Sequence, residues 1–151
     1  MRICLYGEKV LTEVAKPVPT ITQDLIKLLD EMIPFLSTCN GVGLAAPQIG
    51  ISQRFFVMNI DNRIRKVINP EILSMSNTQI DIEEGCLSFP GIHQLVRRPT
   101  DIKVKYQTIS GDYKTESLRG YDARVFQHEY DHLNGVLFLD RVNPSKMISV
   151  K

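Results

Sequence analysis

The stretch His128-Glu129-Tyr130-Asp131-His132 constrains the fold of this chain more than any other stretch. Two histidines four residues apart share one face of an α-helix, so both imidazoles can reach a single metal ion. Glu129 would then lie beside a metal-bound water. Asp122 is suited to the first turn and Asn134-Gly135 to the stop, which predicts a helix over residues 122–134. The alternative is an exposed helix that carries two histidines by chance.

A third ligand has to come from elsewhere, because a catalytic zinc-type site needs three protein ligands and one open position. One large class of metalloproteases supplies a third histidine just after this motif, but Phe138 stands at that position. Cys86, within residues 83–88, is the candidate, since a thiolate is a soft and electron-rich ligand. A lone cysteine is more often a small buried hydrophobe, which is how we interpret Cys4 and Cys39.

The stretch Gly41-Val42-Gly43-Leu44-Ala45-Ala46-Pro47-Gln48 is the third candidate motif. Its two glycines allow a bound chain to approach the backbone closely. The amide of Gln48 could donate a hydrogen bond to a developing oxyanion. The motif is weak by itself, because Gly-x-Gly is common and a glutamine is more often a solvated loop residue.

Hydrophobic periodicity predicts an α+β fold, with strands dominating between two helices. A helical stripe covers residues 22–36, with Thr22 as its N-cap and Pro34 expected to kink or shorten the last turn. Asp61-Asn62 is a two-residue turn signal between extended segments. The predicted strands are 54–60, 63–68, 72–75, 79–82, 101–108, 113–118 and 136–139.

The bulk properties narrow the class of protein. A chain of 151 residues fits one domain, 1–151, and a net charge of +1 gives no electrostatic case for nucleic acid or an anionic membrane as partner. No apolar run is long enough for a signal peptide or a membrane span. Three cysteines, an odd number, without an export signal favour the reducing cytoplasm.

Together, the three motifs resemble the peptide deformylase family, which carries Gly-x-Gly-Leu-Ala-Ala-Pro-Gln, Glu-Gly-Cys-Leu-Ser and Gln-His-Glu-x-Asp-His. They stand here in the same order at residues 41–48, 84–88 and 127–132. The resemblance implies a hydrolase that removes the formyl group from N-terminal formyl-methionine of new polypeptides and releases formate. It also implies small antiparallel or mixed sheets packed around a central metal-binding helix, with an N-terminal helix.

The resemblance also implies the chemical roles at the centre of the site. Cys86, His128 and His132 would bind one divalent ion, Fe²⁺ as the native metal, with Zn²⁺, Ni²⁺ or Co²⁺ able to occupy the site. Glu129 would act as general base and then as general acid. The oxyanion would be held by two donors, the side chain of Gln48 and the backbone N–H of Leu87.

The resemblance further implies how substrate binds. Backbone groups of Gly43 and Gly85 would pair with the peptide like an added strand. The methionine side chain would lie in an apolar pocket near Val42, Ile82, Tyr121 and Val125.

Several side chains carry two interpretations each. Asp131 either steadies a ligand imidazole or is a surface carboxylate. Arg98 either pairs with Glu83 or Glu84 or is a solvated charge. His93 either binds substrate backbone near the entrance or is an exposed histidine.

The sequence also leaves alternatives for the function of the whole protein. The same helix motif occurs in metallopeptidases that cut internal amide bonds, and a silent relative would hold a structural metal or only bind peptides. We expect formyl-methionyl nascent peptides as partners and a monomeric state, and we leave ribosome binding open. The segment after Asn143-Pro144 leaves little room for a long helix.

Overall fold

The chain forms two α-helices and two antiparallel sheets in the computed structural model, which describes residues 1–142. The predicted lack of a long helix after Asn143 therefore lies outside the described residues. The elements are α1 (Gln23–Thr38), β1 (Gly43–Ala45), β2 (Phe55–Ile60), β3 (Arg63–Met75), β4 (Gln79–Cys86), β5 (Phe89–Pro99), β6 (Asp101–Gln107), β7 (Tyr113–Arg119) and α2 (Tyr121–Leu133), with 3-10 turns at Lys9–Thr12, Ala46–Ile49 and Phe138–Arg141.

One sheet has five strands in the order β1-β2-β3-β6-β7, and the other pairs β4 with β5. The predicted hairpin between β2 and β3 is confirmed, with Ile60 opposite Arg63 across the two-residue turn. Both turn residues, Asp61 and Asn62, have positive φ angles of 52° and 65°, as a hairpin turn of this length favours.

Strand β2 is buried on both faces, so the two helices pack on opposite sides of the larger sheet. Phe56 and Met58 belong to the core cluster beneath α2. Phe55 and Val57 alternate with them and belong to the cluster beneath α1. This layering places α2 in the interior, with ten of its thirteen residues buried.

The end of α2 confirms the predicted stop. Gly135 has a φ of 70°, and the backbone N–H of Val136 donates to the carbonyl of Asp131 at 2.9 Å. A Cβ at Gly135 would lie 2.6 Å from the backbone oxygen of Thr12. Glycine is therefore required there both by the backbone conformation and by the neighbouring chain.

The first predicted helix is confirmed, and only the 3-10 turn Lys9–Thr12 precedes it. The hydroxyl of Thr22 accepts a hydrogen bond from the N–H of Leu25 at 3.1 Å, so Thr22 is the N-cap. Pro34 does not end α1, which continues to Thr38. Within residues 1–142 no helix is long and apolar enough to cross a membrane.

Several parts of the strand prediction are wrong, and the short strand β1 was not predicted. The segment 136–139 forms no strand, and a 3-10 turn, Phe138–Arg141, follows instead. Strand β5 was not predicted, although it spans eleven residues. Its inward side chains include Gln94 and Arg98, which are buried although polar, so the sequence lacks the apolar alternation of a half-buried strand.

Candidate metal centre

The end of β4 and the middle of α2 bring Cys86, His128 and His132 together. One ligand atom from each lies within 4.8 Å of the other two. The sulfur of Cys86 is 3.4 Å from Nε2 of His132. Ligands bound at about 2.3 Å for sulfur and about 2.0 Å for nitrogen around a tetrahedral ion are separated by roughly 3.5 Å, so this donor set fits a metal. The convergence expected from the sequence is present.

Glu84 orients the first histidine of the motif. Nδ1 of His128 lies 2.9 Å from Oε1 of Glu84. This contact leaves Nε2 of His128 available to bind a metal together with Cys86 and His132, which we call the ligand cluster. Burial lowers the pKa of His128, but hydrogen bonds with Cys86 and Glu84 outweigh it and raise the pKa to about 10. Burial and the positive charge of His128 hold the pKa of His132 well below its usual value. The imidazole of His128 therefore holds a proton that a metal ion has to displace.

A chain of alternating charges, buried except for Arg141, supports this orientation. Arg98 donates to Glu84 at 2.6 Å and to Asp131 at 2.8 Å. Arg124 donates to Glu84 at 2.6 Å, and Arg141 donates to Asp131 at 2.5 Å. Burial raises the pKa of Glu84, but hydrogen bonds from His128 and Arg98 hold it well below its usual range. Each of these two carboxylates is thus matched by two arginines.

This arrangement settles two alternatives from the sequence. Arg98 pairs with Glu84 and not with Glu83, and it is only 2% exposed. Asp131 is also buried, but its carboxylate binds arginines and not a ligand imidazole. Nδ1 of His132 is buried and has no hydrogen-bond partner among the described residues. Asp131 therefore acts on the site through Arg98 rather than by direct contact with an imidazole.

Glu129 is buried beside the cluster, and its Oε1 has no hydrogen-bond partner within residues 1–142. Burial raises its pKa to about 7, where a carboxyl group can both accept and return a proton near neutral pH. A Cβ on Gly43 would lie 2.5 Å from Oε2 of Glu129. Glycine at this position therefore makes room for the carboxylate.

Gln48 is held in one orientation by the turn Ala46–Ile49. Its Oε1 accepts a hydrogen bond from the N–H of Ala45 at 2.9 Å, which turns Nε2 toward the site. Nε2 lies 3.5 Å from the sulfur of Cys86 and 3.3 Å from the hydroxyl of Ser88. Gln48 is 1% exposed, so the solvated-loop interpretation is wrong. The amide is a buried donor aimed at the cluster.

A cavity of about 640 Å³ opens onto these groups. Five of the six residues expected to bind substrate line it, and Ile82 is not among the lining residues. Ile82 is half-buried in β4 opposite Val96. The five that line it are Val42, Gly43, Gly85, Tyr121 and Val125.

The cavity lies between two free sheet edges. Within residues 1–142, strand β1, which carries Gly43, is an edge of the larger sheet, and β4, which carries Gly85, pairs only with β5. Edge strands present unpaired backbone groups, so an extended peptide can add to either edge. The arrangement is suited to holding an extended chain with one end at the cluster.

Sequence reasoning missed Arg124, which lines the cavity, is 3% exposed and binds both Glu84 and the carbonyl oxygen of Val96. No local signal identifies it, because an arginine on a helix is ordinarily exposed. His93 is exposed, lines the cavity and packs against Gly85, where a Cβ would meet its ring at 2.7 Å.

Comparison with known proteins agrees with this geometry. The family model for polypeptide deformylase matches residues 1–147. The peptide deformylase of Thermotoga maritima is 52% identical over 150 residues, covering 99% of this chain and 92% of the relative. Its crystal structure has a TM-score of 0.93 and covers 95% of this chain and 97% of that one, at 54% identity. A Synechococcus elongatus peptide deformylase solved in complex with actinonin has a TM-score of 0.93 at 36% identity, covering 95% and 81%.

Proposed function

This chain belongs to the polypeptide deformylase family, and from that premise we propose how its own residues perform the reaction. The chain is a metal-dependent hydrolase that removes the N-terminal formyl group from nascent peptides. We assign the metal to Cys86, His128 and His132. The observation that carries this assignment is the convergence of these three side chains beside a buried Glu129.

The donor set of one thiolate and two imidazoles suits several transition metals. Thiolate and imidazole ligands are compatible with Fe²⁺, Zn²⁺, Ni²⁺ and Co²⁺, and we propose Fe²⁺ as the native ion on the resemblance alone. When bound, the ion supplies Lewis-acid chemistry, which lowers the pKa of water and polarises a carbonyl. Glu84 keeps Nε2 of His128 directed toward the ion through its contact with Nδ1.

Glu129 moves the proton in this proposal. Its carboxylate accepts a proton from the attacking water at one oxygen and delivers it to the nitrogen of the leaving amine. The oxygen that lacks a partner, Oε1, is available for this transfer. Burial keeps bulk water from competing for the proton, and the raised pKa places the group near neutrality.

Two donors hold the negative charge that develops on the formyl oxygen. Nε2 of Gln48 is already oriented by the hydrogen bond between its Oε1 and Ala45. The backbone N–H of Leu87, next to the metal ligand Cys86, is the second donor in this proposal. Because the donors are fixed before substrate arrives, little reorganisation is needed, and one such donor contributes about 3–4 kcal/mol.

The peptide is held as an added strand between Gly43 and Gly85, and its methionine side chain lies among Val42, Tyr121 and Val125. We propose that residues 1–151 form one catalytic domain that acts as a monomer in the cytoplasm, beside the ribosome from which its substrates emerge. The family model supports a single unit, since its match runs almost the whole chain.

A formate-release assay tests the proposal. Protein purified without oxygen and loaded with Fe²⁺ or Ni²⁺ should release formate from a formyl-methionyl peptide and should leave internal amide bonds intact. Chelation should abolish release and reloading should restore it. Cleavage of internal bonds in unformylated peptides would favour a metallopeptidase, and a fourth protein ligand on the ion would favour a structural metal.

The variant Glu129→Ala separates proton transfer from metal binding. Turnover should fall roughly a hundredfold to ten-thousandfold, the usual contribution of a positioned acid and base. Metal content per chain should be unchanged, since Glu129 is not among the three ligands. Elemental analysis checks the metal, and Glu71→Ala, an exposed carboxylate on β3, is the control. Near-normal turnover in Glu129→Ala would refute the role.

A further inference from the structure

The outward face of β4 carries Glu83 and Gly85, which are both exposed, while Glu84 between them is buried. Side chains two residues apart in a strand lie on one face, so Glu83 and Gly85 share it. His93 on β5 lies directly opposite Gly85, and its ring covers the place where a Cβ would be. Glu83 and His93 therefore form one rim of the cavity, which both of them line.

Glu83 is the carboxylate on this rim that lacks a cationic partner within the described residues. Asp81 is the next acid along the same face, and its Oδ2 lies 3.5 Å from a guanidinium nitrogen of Arg97 on β5. The nearby Arg124 is buried and binds Glu84. No ion pair or hydrogen bond joins the side chain of Glu83 to another residue in the range 1–142. Its charge is thus available to a molecule in the cavity.

The direction of the substrate follows from the proposed function, on which this inference rests. The formyl group lies at Cys86, so the rest of the peptide runs along β4 away from Cys86, past Gly85 and toward Glu83. Methionine points into the cavity toward Val125. Because side chains alternate along an extended chain, the second residue points to the opposite face, which carries Glu83.

We propose that Glu83 is a specificity-determining residue that favours formyl-methionyl peptides with lysine or arginine as the second residue over those with glutamate or aspartate. A cationic side chain leaving the added strand on this face meets the Glu83 carboxylate. An acidic side chain meets a like charge on the same rim. Opposite-charge pairs stabilise and like-charge pairs destabilise neighbouring strands when they lie on one face.

The expected size of the preference is modest because Glu83 is exposed. An exposed ion pair changes affinity by a factor of roughly two to five, so attraction and repulsion together should give a lysine-to-glutamate ratio in kcat/KM of about ten. Added salt should reduce the ratio, since exposed charges are screened.

The test measures kcat/KM for formate release from three peptides, formyl-Met-Lys, formyl-Met-Gln and formyl-Met-Glu, each extended by the same neutral residues. The metal-loaded full chain is assayed with all three peptides at the same pH and the same salt concentration. The ratio between the lysine and glutamate peptides should be about ten in the parent and close to one in Glu83→Gln. The neutral peptide should be turned over equally by both proteins.

Glu71→Gln, which removes an exposed carboxylate from β3, is the matched control and should keep the parent ratio. A parent ratio near one, or an unchanged ratio in Glu83→Gln, would overturn the assignment of Glu83. Absence of formate release from all three peptides would instead reject the proposed function. The two failures are therefore distinguishable, because the neutral peptide reports on the reaction alone.

Discussion

The two walls of the cavity are built on different physical principles. One wall, which we call the helix wall, comprises α2, β4 and β5 and is held by buried charges, with Glu84 and Asp131 each bound to two arginines. The other, the loop wall, comprises residues 41–48 and is held by uncharged contacts, such as the hydrogen bond from the N–H of Ala45 to Gln48. The three proposed metal ligands all belong to the helix wall.

The difference indicates how each wall should respond to mutation. A buried ion pair is costly to break, because the remaining partner is left charged in a low dielectric. The loop wall is uncharged and lies close to the reacting groups. Its main effect is therefore to fix the positions of those groups. We therefore expect changes in the helix wall to cost stability first and changes in the loop wall to cost activity first.

The largest expected effect on stability comes from Arg98→Met in the helix wall. The change removes the guanidinium that joins Glu84 to Asp131, and it should lower the free energy of unfolding by about 3 kcal/mol. That is the lower end of the usual range, because each carboxylate keeps another arginine. Urea denaturation of the metal-free protein measures the change.

The adjacent residue provides a matched control. Arg97 is half-exposed and lies 3.5 Å from Asp81, so Arg97→Met should change the free energy of unfolding by less than about 1 kcal/mol. Equal losses in the two variants would contradict the view that the helix wall is stabilised by its buried charges.

In the loop wall, the variant Gly43→Ala should reduce activity more than stability. The added methyl group would lie 2.5 Å from Oε2 of Glu129, so the carboxylate has to move. A misplacement of this size typically costs about a hundredfold in rate. The loss of unfolding free energy should be about 1 kcal/mol, which is smaller than in Arg98→Met. Formate release measures the loss, and urea denaturation checks stability.

A double-variant cycle shows whether the effect acts through Glu129. In the Glu129→Ala background no carboxylate remains to be displaced, so Gly43→Ala should cause almost no further loss. Independent, multiplicative losses would mean that Gly43 matters for another reason, such as pairing with the peptide, and would remove this contrast between the walls.

The sequence predicted best what depends on neighbours in the chain. The two helices, the Thr22 cap, the hairpin turn at Asp61-Asn62 and the stop at Gly135 all follow from local patterns and are all present. The candidate ligands were also found, because two of them lie four residues apart on one helix. The third, Cys86, was singled out mainly through its combination with that helix.

What could not be predicted depends on contacts between distant segments. Strand β5 carries Gln94 and Arg98 on its buried face, and burial of Arg98 is possible only because Glu84 and Asp131 meet it from elsewhere. Arg124 was missed for the same reason. Such pairings satisfy polar groups across the fold and leave no periodic signal in the chain.

The smallest expected effect is the release of a proton when a metal binds. It links the charges of the helix wall to metal binding. In the metal-free protein the pKa of His128 is about 10, so its imidazole carries a proton at pH 7, and a ligand imidazole must be neutral. Binding of Ni²⁺ or Zn²⁺ at pH 7 should therefore release at least one proton per ion. Apparent affinity should rise with pH up to about 10.

Calorimetric titration in two buffers that differ in ionisation enthalpy counts the released protons. The same protonation affects the metal-free protein: because the folded pKa of about 10 lies above the usual 6.5, the imidazolium contributes stability that is complete below about 6.5 and lost as the pH rises through 10. Binding heats that are identical in both buffers would show that His128 is already neutral. The contact with Glu84 would then orient the imidazole without holding a proton for the metal to displace.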